Sequence, residues 1–333
     1  MSEFPALDDI GDIVVSEQQP QPSPQRQASP RRLAASRLVA VGDFVADAIP
    51  SQSEFDELDL DYDPGARALW CYMRPKGVPS FTPSMLGNLT RLHAELSRQD
   101  LPANMGRPLY FVGGSRFPGV FNLGGDLEFF LARIKSGDAP GLRAYARACV
   151  HAVYSNSTGF DAPVVTICLL EGNALGGGLE AALSFHVLVA ERGLKFGFPE
   201  VLFGSFPGMG AYSFLSRRLG MRDAEKLISS GRIYSSEEFH EMGLVDILAG
   251  KGEGAAAVRT YMAQNRSRHG LTCAHHKIRR RLNPVTLTEL YDITDIWVEA
   301  ALSLGAGDLR RMERLLAAQS KQTAAQATAA ASA

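Results

Sequence analysis

Two carboxylates stand in text where a carboxylate is costly. Glu180 follows three glycines in "EGNALGGGLEAALSFH" (171–186), with Leu179, Ala181, Ala182 and Leu183 around it. Glu200 sits between Pro199 and Val201 in "FGFPEVLFGSFPGMG". One acid at a helix start compensates the helix dipole or caps the first turn, and for a single acid that reading suffices. Two acids in apolar settings carry more. Burial raises a carboxyl pKa, and a neighbouring carboxylate raises it further. One member of such a pair can accept a proton while the other holds one to give.

The glycines beside Glu180 admit two uses. Gly176, Gly178 and Ala181 fit the G-x-G-x-x-A dinucleotide fingerprint, with an acid about twenty residues on. Three features weigh against it: "EGNAL" separates the strand from the first glycine, no ordered βαβαβ half follows, and Glu200 does not end a second strand. The other use is close backbone approach, since a residue without Cβ lets N–H groups aim at a ligand oxygen. A helix N-terminus adds orphan donors and a positive dipole end. Together these make an oxyanion hole. "FNLGGDL" (121–127) is a second glycine turn before a helix, with Asp126 placed to cap it.

Other chemistries lack their signatures. There is no G-x-S-x-G elbow, H-E-x-x-H or P-loop. His275 and His276 adjoin "KIRRR" and read as a solvated helix face; His186 reads as a core or edge histidine. Cys71, Cys149, Cys168 and Cys273 are widely spaced without a C-x-x-C pair, the pattern of reduced thiols, and no metal site is expected. The net charge of −2 leaves no electrostatic footprint for nucleic acid. No apolar run approaches the ~20 residues that span a bilayer, so no membrane insertion is expected. "MSEFPALDDIGD" lacks the basic and apolar regions of a signal peptide, which points to the cytoplasm.

The elements that must position these groups alternate between strands and helices. "ALWCYMRP" (68–75), "PLYFVGGS" (108–115), "VVTICLLEG" (164–172) and "HVLVAER" (186–192) read as strands. Residues 82–99 read as a helix with Thr82 as N-cap and Pro83 in first position. "DLEFFLARI" starts another, and 141–156 continues with helical spacing. From about residue 210 the text reads as almost wholly helical. Such alternation predicts an α/β fold with parallel pairing. Residues 1–50, rich in Pro, Gln, Ser and Arg, read as a tail, 65–250 as the α/β core, 251–322 as a C-terminal helical region, and 323–333 as a frayed Ala-rich end.

At these residues the chain resembles the crotonase (enoyl-CoA hydratase/isomerase) superfamily. The marks are "FNLGGDL", "GNALGGGLE" and "FPEVLFGSFPGMGA". The run from 171 to 214, with "SSGRIYSSEEFHEMGLVD" and "ITDIWVEAALSLG", looks closer still to one branch, the bacterial diffusible signal factor synthases. The likeness spans roughly residues 65–322. It implies a crotonase-like spiral of ββα units with a C-terminal α-helical region that packs into a homotrimer or a dimer of trimers. It implies an oxyanion hole from the N–H groups of Gly125 and Gly177, and Glu180 and Glu200 as catalytic acids. It implies an acyl-chain pocket at Met209, Trp297 and Leu315, although Trp297 reads equally well as a core residue on a helix face. The implied reaction needs no cofactor. The substrate would be a 3-hydroxyacyl thioester on acyl carrier protein or coenzyme A, dehydrated and hydrolysed to a cis-2-unsaturated signal acid, and a sensor kinase's receiver domain is an implied partner. The alternative is an enoyl-CoA hydratase/isomerase of fatty-acid catabolism.

Overall fold

The computed structural model describes residues 55–98 and 106–331. The expected tail over residues 1–50 lies outside them. The chain opens with an antiparallel pair, β1 (Leu58–Asp63) and β2 (Ala68–Met73), followed by α1 (Pro83–Arg98). Thr82 caps α1, its Oγ1 accepting from the Met85 N–H at 3.1 Å. Next come β3 (Tyr110–Ser115), β4 (Val120–Asn122), α2 (Leu127–Ser136) and α3 (Ala139–Thr158). They are followed by β5 (Val165–Leu170), β6 (Asn173–Leu175) and α4 (Gly177–Leu183). Then β7 (Val187–Glu191) and β8 (Lys195–Gly197) lead into a single 3-10 turn, Pro199–Phe203.

The same unit thus occurs three times: a long strand, a short strand, then a helical turn. The long strands join a six-stranded sheet in the order β1-β2-β3-β5-β7-β10, parallel from β2 onward. The short strands join a second sheet, β4-β6-β8-β9, parallel across its first three members. Because β4, β6 and β8 are neighbours, the junctions that follow them lie side by side. The first junction holds Gly125, the second Gly177 and Glu180, the third Glu200. The repeat therefore gathers residues 125, 177, 180 and 200 without any long loop.

The larger sheet is covered on both faces. Within β5, Val165, Ile167 and Leu169 join one apolar cluster, while Cys168 and Leu170 join another. A strand buried on both sides must be apolar throughout, which is why "VTICLL" does not alternate with polar residues.

The C-terminal part comprises α5 (Ala211–Leu219), α6 (Met221–Ser229), β9 (Ile233–Ser235), α7 (Ser236–Glu241), β10 (Ile247–Ala249) and α8 (Gly254–Asn265). It ends with α9 (His269–Leu282), α10 (Leu287–Leu302) and α11 (Ala306–Ala331). Two expectations are corrected here. The text after residue 210 is not wholly helical: β9 and β10 each close a sheet edge, and three residues are too few for periodicity to register. α11 runs to Ala331, in keeping with alanine's high helix propensity. His276 is not on a solvated face, because its ring stacks on that of His186 at 4.0 Å with its Nε2 buried. No helix among the described residues is long and apolar enough to cross a membrane.

Candidate active site

The two glycine turns face one another. Gly177 is the first residue of α4, so its N–H has no intrahelical acceptor. The Gly125 N–H makes no backbone hydrogen bond among the described residues. Gly124, between them, has φ +100°, and a Cβ there would lie 2.7 Å from the Gly177 nitrogen. Any side chain at 124 would therefore close the gap between the two amides. The first turn is pinned by the Asn122 Oδ1, which accepts from the Gly124 N–H at 2.7 Å. It is pinned again by Asp126, which caps α2 through the Phe129 N–H at 3.0 Å.

Glu180 is 1% exposed. Its Oε1 accepts from the N–H groups of Met209 at 2.8 Å and Ala211 at 2.9 Å. Burial raises its pKa to about 7, and the backbone donors at residues 209–211 hold it from rising further. Glu200 rides on the 3-10 turn. A Cβ at Gly176, where φ is +52°, would meet its Oε1 at 2.4 Å, so the glycine run is shaped around this carboxyl as well. Its Oε2 is buried without a hydrogen-bond partner. Burial first, and the charge of Glu180 second, push its pKa up to about 8. Near neutral pH the pair holds roughly one proton between two carboxyls, the loading an acid–base pair requires.

Gly125, Gly177, Glu180 and Glu200 line one cavity with an empty volume of about 740 Å³, its mouth included. Met209, Trp297 and Leu315 line the same cavity. The structure thus brings all seven residues singled out from the sequence to one place. Trp297 is both cavity wall and core: it is 8% exposed and packs in one cluster with Leu127, Val298 and Met312. The cavity also takes in Phe130, Tyr145 and Cys149, which sequence reasoning missed. Their only signal is an apolar helix face, and such a face does not separate cavity wall from core. Among the described residues no group of three His, Cys, Asp or Glu could hold a metal ion.

Comparison with known proteins gives this geometry a family. Residues 113–285 match the model of the enoyl-CoA hydratase/isomerase family. The chain belongs to that family. Within it, the chain is 35% identical over 146 residues to the mitochondrial methylglutaconyl-CoA hydratase of Rattus norvegicus, covering 44% of each chain. It is 43% identical over 96 residues to the cyclohexa-1,5-dienecarbonyl-CoA hydratase of Thauera aromatica, covering 29% of this chain and 37% of that one. The matched stretches span less than half the length of these relatives. Among solved structures, an enoyl-CoA hydratase from Bacillus halodurans superposes with a TM-score of 0.66 at 21% identity, over 78% of this chain and 99% of that one. Pseudomonas aeruginosa DspI superposes with a TM-score of 0.56 at 24% identity, over 70% and 87%. The fold is that of the crotonase superfamily, a spiral of ββα units with a C-terminal helical region.

Proposed function

We propose that the chain dehydrates a 3-hydroxyacyl thioester, delivered on acyl carrier protein or coenzyme A, and then hydrolyses the thioester to release a cis-2-unsaturated fatty acid of the diffusible signal type. The observation that carries the reading is a pair of carboxyls, Glu180 buried and Glu200 with one buried, unpaired oxygen, beside two facing glycine amides in one cavity. The thioester oxygen sits between the Gly125 and Gly177 N–H groups, which stabilise the enolate formed as the α-proton leaves. One of Glu180 and Glu200 takes that proton. The other protonates the departing 3-hydroxyl, which leaves as water. A carboxylate then activates a second water against the thioester carbon, and the thiol leaves with a proton. Losing one amide donor costs about 3–4 kcal/mol of barrier in such sites. Met209, Trp297 and Leu315 form the acyl-chain wall.

The signal branch is supported by the resemblance over residues 171–214. The names of the relatives favour a second reading, hydration of an enoyl-CoA, which uses the same pair in reverse. Mass spectrometry of products from 3-hydroxyacyl carrier protein separates the two. Free cis-2-enoic acid supports the first. A trans-2-enoyl thioester in equilibrium with its hydroxy form, without free acid, overturns it in favour of the second.

The reaction is assigned to the cytoplasm, and the assembly to a homotrimer or a dimer of trimers. An exposed apolar stripe on α9, Leu271, Ile278 and Leu282, supports assembly, since residues spaced by seven and four share one helix face. A sensor kinase's receiver domain is the proposed protein partner. The domain limits at 65–250 and 251–322 belong to the same reading.

A further inference from the structure

The segment ahead of α1 runs beside the first glycine turn. The Phe81 N–H donates to the Gly124 carbonyl at 2.8 Å, and the Leu123 N–H donates to the Pro79 carbonyl at 2.8 Å. Phe81 and Gly125 form a single parallel bridge. In a trans peptide the C=O and the following N–H point in opposite directions. The bond from Phe81 to the Gly124 carbonyl therefore fixes the plane that carries the Gly125 N–H, and aims that N–H away from Phe81.

The next rung is not closed by backbone alone. The Asp126 N–H donates at 3.0 Å to the hydroxyl of Tyr145, and that hydroxyl donates to the Phe81 carbonyl. Tyr145 is 2% exposed, and both hydrogen bonds are internal. Its ring is itself held, stacked on Phe129 at 4.9 Å and edge-on to Phe130 at 5.2 Å. Phe130 in turn backs the turn, lying 2.4 Å from where a Gly125 Cβ would stand. One oxygen, mounted on α3, spaces the Pro79–Phe81 segment from the glycine turn and grips both.

We infer that Tyr145 is a positioning residue for the oxyanion site, its hydroxyl acting as a spacer that sets where the Gly125 N–H points relative to that of Gly177. Without the hydroxyl, Asp126 and Phe81 close directly on one another. The turn then rotates toward the Pro79–Phe81 segment, and the Gly125 amide leaves its line to the thioester oxygen. The inference rests on the thioester reading above and extends it to a residue outside the acid pair.

The test is Tyr145→Phe in the full chain, which keeps the ring and removes one atom. Three quantities are read: kcat and KM on 3-hydroxyacyl carrier protein, and the carbonyl stretch of a bound acyl thioester labelled with carbon-13 at C1, by difference infrared spectroscopy. A polarising amide lowers that frequency. The expected result is a fall in kcat of about 10- to 100-fold, with KM within about threefold, and a smaller red shift than in the unaltered chain. Phe129→Leu is the companion variant, since it loosens the ring stack but keeps the hydroxyl, and it should retain the red shift. An unchanged shift in Tyr145→Phe overturns the inference, whatever happens to kcat, because a structural defect alone would then explain the loss. Equal loss of shift in both variants overturns it too. An unaltered chain that neither turns over the thioester nor shifts its carbonyl sinks the dehydratase reading, and this inference with it.

Discussion

Glu180 and Glu200 line the same cavity but are held in opposite ways. Glu180 is fixed at the start of α4, one oxygen gripped by the amides of Met209, in the loop before α5, and of Ala211, the first residue of α5. Glu200 sits on a single 3-10 turn, with one oxygen buried and unpaired. Backbone donors at residues 209–211 stabilise the ionised form of the first, whereas only its own backbone does so for the second. The site therefore separates two similar acids by the hydrogen bonds it withholds as much as by those it provides. In the proposed reaction this ordering makes Glu180 the member that gives up its proton first as pH rises.

The comparison breaks most sharply if one acid is dispensable. Glu180→Gln can still accept from the two amides, so the fold should persist while product release drops by about 10²- to 10⁴-fold. Glu200→Gln should fall by a similar factor, and full activity in either variant removes the pair from the mechanism. Stability offers the next largest effect. Both carboxyls have folded pKa values raised above the usual 4.5, so the folded state binds more protons than the unfolded state between about pH 4.5 and pH 8. Stability contributed by these groups is present below pH 4.5 and is lost as pH rises through 7 and 8. Glu200→Gln should therefore gain on the order of a few kcal/mol relative to the unaltered chain between pH 4.5 and pH 9, measured by urea unfolding. A flat difference across that range would show that Glu200 is not buried with its proton.

A third measurement separates the two acids directly. The rate should climb as pH passes about 7, where Glu180 ionises, and fall as pH passes about 8, where Glu200 does. Carbon-13 NMR of labelled glutamate in Glu180→Gln should show the Glu200 pKa moving down, because the second cause of its elevation has gone. No movement would mean that the carboxyls do not sense each other. The smallest effect, and a control, is Leu315→Trp. Filling the cavity wall should raise KM for long acyl chains roughly tenfold over short ones, while leaving both limbs of the pH profile in place.

β2, β3, β5 and β7 were legible because residues buried on two faces leave unbroken apolar runs, as in "VVTICLL", whereas β1, polar at alternate positions and half-buried, was not. The helix start at Thr82 and the cap at Asp126 were legible from their side chains. The short strands β4, β6 and β8 were not, since three residues show no period, yet they set the junctions side by side. The site residues could be named from glycine runs and misplaced acids, together with a family resemblance. Their meeting in one cavity depends on strand order, which no single segment encodes. Tyr145 was invisible for a different reason. Its hydroxyl meets Phe81, 64 positions away, and a tyrosine on a half-apolar helix does not announce where its oxygen goes.

One feature of the cavity wall bears on the order in which the protein is made. Both amides and both acids are translated by residue 200, but Trp297 and Leu315 come from α10 and α11. In the proposed reaction the residues assigned to enolate chemistry therefore precede the acyl-chain wall by about a hundred positions. In the proposed reaction α10 and α11 thus supply the acyl-chain side of a site whose polar groups come from the repeated strand–strand–helix units.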